Sequence, residues 1–225
     1  MRGPQPIDRR RFLERGVSAA SIALLPVRLR AASEVAPLTI TPRQTEGPFF
    51  PVPLPVEQDS DLVVVRGSTI TAQGIVTNVG GRVLDDRGRP VADARVEIWQ
   101  CDANGRYHHV ADRRNAQIDE GFQGYGRSVS AADGRYRFRT IRPVAYAGRT
   151  PHIHFKIGGA GFSGLTTQMY IAGEPRNEHD FVLSRIRDAR QRASVIVEFR
   201  RDTLGGAELQ AEFDIVLAAD GRFDT

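Results

Sequence analysis

Short runs of β-branched and aromatic residues, separated by turns rich in glycine and aspartate, recur along the chain from residue 60 to residue 217. Successive side chains of a strand point to opposite faces, so this alternation predicts strands with one buried face. The predicted strands are 62–65, 69–76, 79–84, 94–100, 135–139, 152–157, 166–171, 194–200 and 209–217. Their spacing predicts an all-β fold of the β-sandwich class.

The other segments are expected to serve this β domain. In residues 34–60 proline recurs at positions 42, 48, 51, 53 and 55, which predicts an extended arm. Residues 61–225 are expected to form one domain, with a single weak helix at 181–192. Cys101 is the only cysteine of the chain, which excludes an intrachain disulfide and cysteine-rich zinc modules.

The N-terminal segment carries the basic character of the chain. Residues 1–33 contain seven arginines and two acidic residues, whereas the whole chain has a net charge of +4. The remainder is therefore close to neutral, which argues against a nucleic-acid-binding domain.

This segment also resembles a targeting signal. Arg9-Arg10-x-Phe12-Leu13, a short apolar run and a small-residue exit resemble a twin-arginine signal peptide, which implies export to the periplasm or the extracellular space. The apolar run is about half of the roughly 20 residues that a spanning helix needs, so we expect no stable membrane anchor. The alternative is a basic amphipathic helix that stays attached.

Two histidines and two tyrosines are candidate metal ligands. In a strand, His152 and His154 point to the same face and can converge on one ion. Tyr107 closes a turn, and Tyr146 lies in the loop before the histidines. Two imidazoles and two phenolates form a nitrogen and oxygen donor set that suits Fe(III) better than a soft metal. The alternatives are hydrogen-bonded histidines and ordinary half-buried tyrosines.

Three sequence blocks resemble the intradiol ring-cleavage dioxygenases of the protocatechuate 3,4-dioxygenase type. The first runs from Val79-x-Gly81-x-Val83 through Val96-Glu-Ile-Trp-Gln100 to Asn104-Gly-Arg-Tyr107. The others are Arg149-x-Pro-His-Ile-His-Phe155 and Thr167-Gln-Met-Tyr170. The resemblance spans roughly residues 42–180 and implies a prealbumin- or Ig-like β-sandwich.

The resemblance also implies a reaction, in which non-haem Fe(III) binds a catechol and O2 cleaves the ring between the two hydroxyls to a cis,cis-muconate-type diacid. The family's arginine beside the iron falls on Arg149, and its active-site glutamine falls on Gln168. The Tyr146-like ligand is expected to leave the metal and accept a substrate proton. The implied iron ligands are Tyr107, Tyr146, His152 and His154.

Several alternatives stay open from the sequence. A non-catalytic prealbumin-like binding module would share the stretch 81–99 but would need no such donor set. The interval from Tyr146 to His152 is six residues, shorter than in well-known members, which leaves open a relative with altered oxygenase activity. His108 and His109 are interpreted as surface or supporting histidines. Homo- and hetero-oligomers are both compatible with the resemblance.

Overall fold

The structure is a computed structural model that describes residues 38–159, 164–201 and 208–218. The predicted signal segment, residues 1–33, lies outside these residues. The described helical elements are two 3-10 turns, Pro175–Glu178 and Leu183–Arg185, and one short helix, α1 (Ala189–Ser194). The described strands are β1 (Val76–Asp85), β2 (Arg95–Trp99), β3 (Tyr125–Val129), β4 (Arg135–Ile141), β5 (His152–Gly158), β6 (Leu165–Ile171), β7 (Ile196–Val197), β8 (Phe199–Arg201), β9 (Leu209–Glu212) and β10 (Ile215–Leu217).

The strands form two mixed sheets of five strands each. In the first sheet, β1 pairs antiparallel with β4 and parallel with β9 and β10, and β8 pairs with β9. The second sheet has the order β3-β2-β5-β6-β7, antiparallel except for the β6–β7 pair. Neither sheet closes into a barrel within the described residues, so the chain has the expected β-rich architecture.

One hydrophobic cluster contains buried residues of both sheets. Phe155 of β5 contacts the ring of Tyr136 from β4, with 6.2 Å between centroids, and that of Phe213 at 5.0 Å. The alternation of β5 buries Ile153 and Phe155 in this cluster. Each such side chain contributes about 1.5–3 kcal/mol by leaving water. The opposite face of β5 is therefore available for other chemistry.

Most of the predicted strands coincide with observed ones. The strand predicted at 62–65 is wrong, and so is the one predicted at 69–76 except for Val76, where β1 begins. Leu62 is buried in the core, yet this stretch makes only an isolated bridge, between Asp61 and Arg139. Val64 and Ile70 are exposed, so their β-branched character does not reflect a buried strand face. The hydrophobic pattern therefore indicated burial at Leu62 correctly, but the stretch has no partner strand and forms no sheet.

The predicted helix at 181–192 is also wrong in extent. The chain makes a 3-10 turn at Leu183–Arg185, and α1 begins only after Asp188, whose side chain accepts a hydrogen bond from the Gln191 N–H at 2.8 Å. In contrast, β3 was not predicted. It contains Gly126, where a Cβ would lie 2.5 Å from Leu62 Cδ1, so close packing disfavours a larger residue at this position.

Replacing Gly81 by alanine should destabilise the fold, because the new Cβ would lie 2.0 Å from the carbonyl oxygen of Phe213, where β9 gives way to β10. We expect Gly81→Ala to lower the free energy of unfolding by about 3 kcal/mol, the cost of overpacking. The control is Gly80→Ala, whose Cβ would meet nothing closer than 3.5 Å and which should change stability by less than about 1 kcal/mol. Urea denaturation measures both, and equal stabilities would contradict the prediction.

Candidate metal centre

The face of β5 that points away from the shared core carries His152 and His154. Both imidazoles are buried, and their Nε2 atoms lie 3.2 Å apart. Metal–nitrogen bonds are about 2.0–2.1 Å long, so both atoms can reach one ion. The structure thus brings the two predicted histidines together at one point.

Neighbouring strands supply the surroundings of the two histidines. In the sheet register His154 pairs with Trp99 on β2 and with Gln168 on β6, while His152 pairs with Tyr170. Directly paired side chains lie on the same face of a sheet. The Trp99 indole stacks on the His154 imidazole, with 4.7 Å between centroids and 9° between planes. The sheet therefore fixes the orientation of His154 by stacking.

Burial keeps both imidazoles neutral, which is the form that binds metals. It lowers the pKa of His152 to about 3, with help from the positive charge of Arg149, and lowers the pKa of His154 well below its ordinary value. His152 Nδ1 lies 2.7 Å from the carbonyl oxygen of Thr150, so this nitrogen donates and leaves a lone pair on Nε2. His154 Nδ1 has no hydrogen-bond partner among the described residues.

Tyr107 is held by a turn built on a buried carboxylate. Asp102 Oδ1 accepts hydrogen bonds from the backbone N–H groups of Asn104 and Arg106, both at 2.9 Å. Its Oδ2 accepts from the N–H of Asp119 at 2.9 Å, which joins the turn to the following loop. The turn held by Asp102 leads directly into Tyr107, whose ring is buried.

Tyr146 is positioned by a two-residue turn. Ala147 and Gly148 have φ angles of 42° and 80°, and the N–H of Arg149 donates to the Tyr146 carbonyl oxygen at 2.7 Å. Two consecutive positive φ angles are typical of a type I′ turn, which closes the tightest hairpins. The short interval before His152 is thus a compact turn that sets Tyr146 and Arg149 side by side.

The four predicted ligand rings form a closed circuit. The centroid distances are 5.1 Å from Tyr107 to Tyr146, 5.4 Å from Tyr146 to His152, 4.8 Å between the histidines and 6.3 Å from His154 to Tyr107. Tyr107 is buried, and its hydroxyl has no hydrogen-bond partner among the described residues. An unpartnered buried hydroxyl beside two converging imidazole nitrogens fits a bound cation.

Burial raises the pKa of both phenols, and for Tyr107 the rise is reinforced by Tyr146. At Tyr146 the rise is opposed first by the neighbouring Tyr107 hydroxyl and then by two cations, Arg149 and Arg114, and the guanidinium carbon of Arg114 lies 4.8 Å from the ring centroid. The described residues contain no group of three or more His, Cys, Asp or Glu suited to a metal, so a centre here requires the phenols. A metal cation would favour the phenolate forms.

Arg149 and Gln168 complete the predicted set and contact each other. Arg149 Nη2 donates to Gln168 Oε1 at 2.6 Å, and Gln168 Nε2 donates to the Thr45 carbonyl oxygen at 2.9 Å. The charge of Arg149 shifts the pKa of all four ring side chains, so it acts on the whole centre. All six predicted site residues therefore belong to one cluster.

The arm covers this cluster, which the sequence did not reveal. Phe49 stacks on Tyr107 with 4.7 Å between centroids and 24° between planes. A Cβ on Gly47 would lie 3.5 Å from His154 Cε1, so the backbone of the arm passes directly over that ring. Gln44 binds β6 through a backbone hydrogen bond to Thr166. The arm is thus a wall of the centre.

The remaining histidines near Tyr107 lie beside the centre. His109 contacts the Phe49 ring at 5.9 Å, and His108 Nε2 lies 3.7 Å from an Asp102 carboxylate oxygen. No described ring contact joins either of them to the two histidines of β5. Their position is compatible with the supporting role inferred from the sequence.

Comparison with known proteins places the chain in a family. A family profile described as dioxygenase matches residues 45–219. The chain is 42% identical over 172 residues to the protocatechuate 3,4-dioxygenase beta chain of Burkholderia cepacia, a match that covers 72% of each protein. The chain belongs to the intradiol ring-cleavage dioxygenases.

Other members of the family are more distant. The chain is 30% identical to the catechol 1,2-dioxygenase of Candida albicans over 202 residues, which are 77% of this chain and 61% of that protein. It also resembles the dioxygenase domain of a dioxygenase carbohydrate-binding fusion from Streptomyces sp. SirexAA-E, with 32% identity and a TM-score of 0.60. That similarity covers 80% of this chain and 99% of the solved domain. Among the described residues, no helix has the length and apolar character needed to cross a membrane.

Removing the carboxylate of Asp102 should loosen the turn that carries Tyr107. We expect Asp102→Ala to lower the free energy of unfolding by about 2 kcal/mol, because three backbone N–H groups, of which that of Asp119 is buried, lose their acceptor. Asp133→Ala is the control, since that carboxylate caps the Arg135 N–H in a turn but is 60% exposed. Its effect should stay below about 1 kcal/mol. Thermal or urea unfolding that ranks the two variants equally would refute the prediction.

Proposed function

We propose that this family member is a non-haem Fe(III) enzyme that cleaves a catechol-type ring between its two hydroxyls with O2, giving a cis,cis-muconate-type diacid. The family depends on non-haem iron, and the closed circuit of two imidazoles and two phenols is the observation that carries the proposal. The alternative, a non-catalytic prealbumin-like binding module, would not require this arrangement.

The donor set fits the proposed ion. His152 and His154 offer neutral nitrogens at 3.2 Å from each other, and Tyr107 offers a buried oxygen that has no other described partner. Tyr146 completes the set as the least buried of the four rings. Nitrogen and oxygen donors without thiolate match a hard trivalent cation. Bound Fe(III) would supply Lewis acidity toward both catechol oxygens and the redox chemistry with O2.

The burial of the four ring residues suggests different roles for them. Tyr107, His152 and His154 are deeply buried and would hold the ion, whereas Tyr146 lies nearer the surface, in the two-residue turn. We assign to the Tyr146 hydroxyl oxygen the role of accepting a proton from a catechol hydroxyl. The residues around Tyr146 support this assignment. The positive charges of Arg149 and Arg114 favour the phenolate form of Tyr146, which is the form that can accept a proton.

Arg149 and Gln168 would act on the substrate. The guanidinium is a fixed cation next to the four rings, so it would stabilise negative charge that develops on the ring oxygens of a bound catecholate. The amide of Gln168 is oriented by Arg149 and by Thr45 and would position substrate or O2. Phe49 and Trp99 cover the rings on two sides and would exclude water.

The proposal extends to architecture and location. We infer that the two sheets form a prealbumin- or Ig-like sandwich, which the shared core supports. We further propose export by the twin-arginine route to the periplasm or extracellular space, supported by the motif at residues 9–13. We also propose that the chain forms homo- or hetero-oligomers, because the Burkholderia relative is named as a beta chain.

The visible spectrum of the purified protein tests the function. We expect a red-brown phenolate-to-Fe(III) band that shifts on anaerobic addition of catechol, followed by O2 uptake and a muconate-type product on exposure to air. Removing the iron with a chelator should abolish colour and O2 uptake together, and Fe(III) should restore both. A protein that stays colourless and inactive after reconstitution would leave the binding module as the better explanation.

Substitution of single ligands tests the site. Tyr107→Phe and His154→Ala should each reduce iron retention by at least about tenfold and weaken or abolish the colour, because each removes a donor. Tyr125→Phe is the matched control, since Tyr125 is buried in the same aromatic cluster but its hydroxyl donates to Glu97 at 2.6 Å. Iron content and absorbance measure the effect. Wild-type iron content and colour in either ligand variant would refute the assignment.

A further inference from the structure

Asp180 is a buried carboxylate of the active-site region that no sequence motif indicated. It lies in the segment between β6 and α1 and is 1% exposed. Three backbone N–H groups donate to it, those of Thr150, Val182 and Leu183, at 2.9–3.1 Å. Arg149 donates to it twice, from Nε to Oδ2 at 2.7 Å and from Nη2 to Oδ1 at 3.3 Å. One carboxylate therefore joins this segment to the start of β5.

The contacts of Asp180 fix the guanidinium of Arg149 in one orientation. Nε and Nη2 bind Asp180, and Nη2 also reaches Gln168 Oε1 at 2.6 Å. The ring of Phe181 covers the guanidinium at 5.2 Å. Nη1 takes part in none of these hydrogen bonds, and the guanidinium also interacts with the Tyr170 hydroxyl, where it opposes the rise in pKa caused by burial. We take Nη1 as the end of the fork that is available to a ligand. A guanidinium held at one edge presents its other edge at a defined place.

The buried pair also balances charge. An unpaired buried guanidinium would be costly, whereas its pairing with a carboxylate on one side leaves the cation stable and oriented. Burial raises the pKa of Asp180, but the hydrogen bonds from Arg149 and from the backbone outweigh burial and lower it, so the carboxylate is ionised. Asp180 makes no described hydrogen bond to any of the four ring side chains. Its charge opposes the lowering of the His152 pKa, and its hydrogen-bonded contact with the centre is through Arg149.

We propose that Asp180 is a positioning residue for ring cleavage, which holds Arg149 so that Nη1 faces the negative charge developing on the bound catecholate. This inference rests on the proposed function, because it assigns a role within that reaction. It differs from a purely structural role by predicting that kcat falls while the iron site stays intact.

The test compares Asp180→Asn with Asp85→Asn in the iron-loaded protein. Asparagine keeps one acceptor oxygen for the backbone donors but removes the charge that orients Arg149. Asp85 is a matched control on the first sheet, a buried carboxylate that accepts from the N–H groups of Arg87 and Arg89 and from Arg89 Nε at 2.6–3.0 Å. None of these contacts involves the candidate centre.

We expect Asp180→Asn to keep its iron and its resting phenolate band, because all four ligands remain. Its kcat with catechol should fall on the order of 10²-fold with a smaller change in KM, the effect of misplacing a group by about 1 Å. The absorption band of its anaerobic catechol complex should also differ from that of the wild type, because the cation beside the ring has moved. Asp85→Asn should match the wild type in kcat and in both spectra.

A double-mutant cycle separates positioning through Arg149 from a general effect on folding. With Arg149→Gln already in place, adding Asp180→Asn should lower kcat by no more than about twofold, because the group that it positions is gone. Independent losses that multiply would overturn the inference. Wild-type kcat and catechol-complex spectrum in Asp180→Asn, or equal losses in Asp180→Asn and Asp85→Asn, would overturn it as well.

A second variant and the wild-type protein distinguish failure of this inference from failure of the proposed function. If Asp180→Asn fails to fold, Asp180→Glu retains the charge but displaces it by one methylene, and wild-type kcat in that variant would overturn the inference. A wild-type protein that binds iron and cleaves catechol supports the proposed function whatever Asp180 does. A wild-type protein that does neither removes the proposed function and this inference together.

Discussion

The candidate centre depends on the arm that covers the outer face of the second sheet. A strand has two faces, and β5 uses one of them for the core and the other for His152 and His154. The second face would lie in water without a covering layer. Gln44 supplies the attachment, because its side chain donates to the Gln168 carbonyl oxygen at 3.1 Å and accepts from the Tyr170 hydroxyl at 2.6 Å. Phe49 then reaches Tyr107 from the same segment.

The electrostatics of the centre follow from this burial. With neutral imidazoles and phenols that resist ionisation, the four rings offer donor atoms but no charge of their own. Arg149 adds a positive charge, and Asp180 compensates it through two hydrogen bonds. A cation that converts two phenols to phenolates would meet two negative charges in a largely buried site, where electrostatic interactions are stronger than in water. We therefore expect this site to bind a highly charged cation more strongly than a singly charged one.

The sequence predicted the parts of the site that depend on local geometry. The alternation in β5 placed His152 and His154 on one face, and the turn chemistry before Tyr107 was visible in the residues Asp102 to Gly105. It did not predict that Phe49 stacks on Tyr107 or that Asp180 holds Arg149, because these contacts come from tertiary docking of loops without periodicity. The strand expected at 62–65 was wrong for a related reason, since Leu62 reaches the core from a loop.

The covering of the site joins parts of the chain that are far apart in sequence. The hydrogen bonds between the arm and β6 link residues 123 to 126 positions apart. Contacts of such large sequence separation are costly in entropy, because a long loop must close before they stabilise the chain. The first sheet meets the same requirement, because β1 pairs with β9 and β10 across an equally long stretch of chain, as in Thr77 with Leu209 and Val83 with Ile215. The covering of the site and the first sheet therefore both depend on closing the chain over most of its length. A metal ion bound at the candidate centre would therefore indicate that the entire domain has folded, because no single strand supplies the whole site.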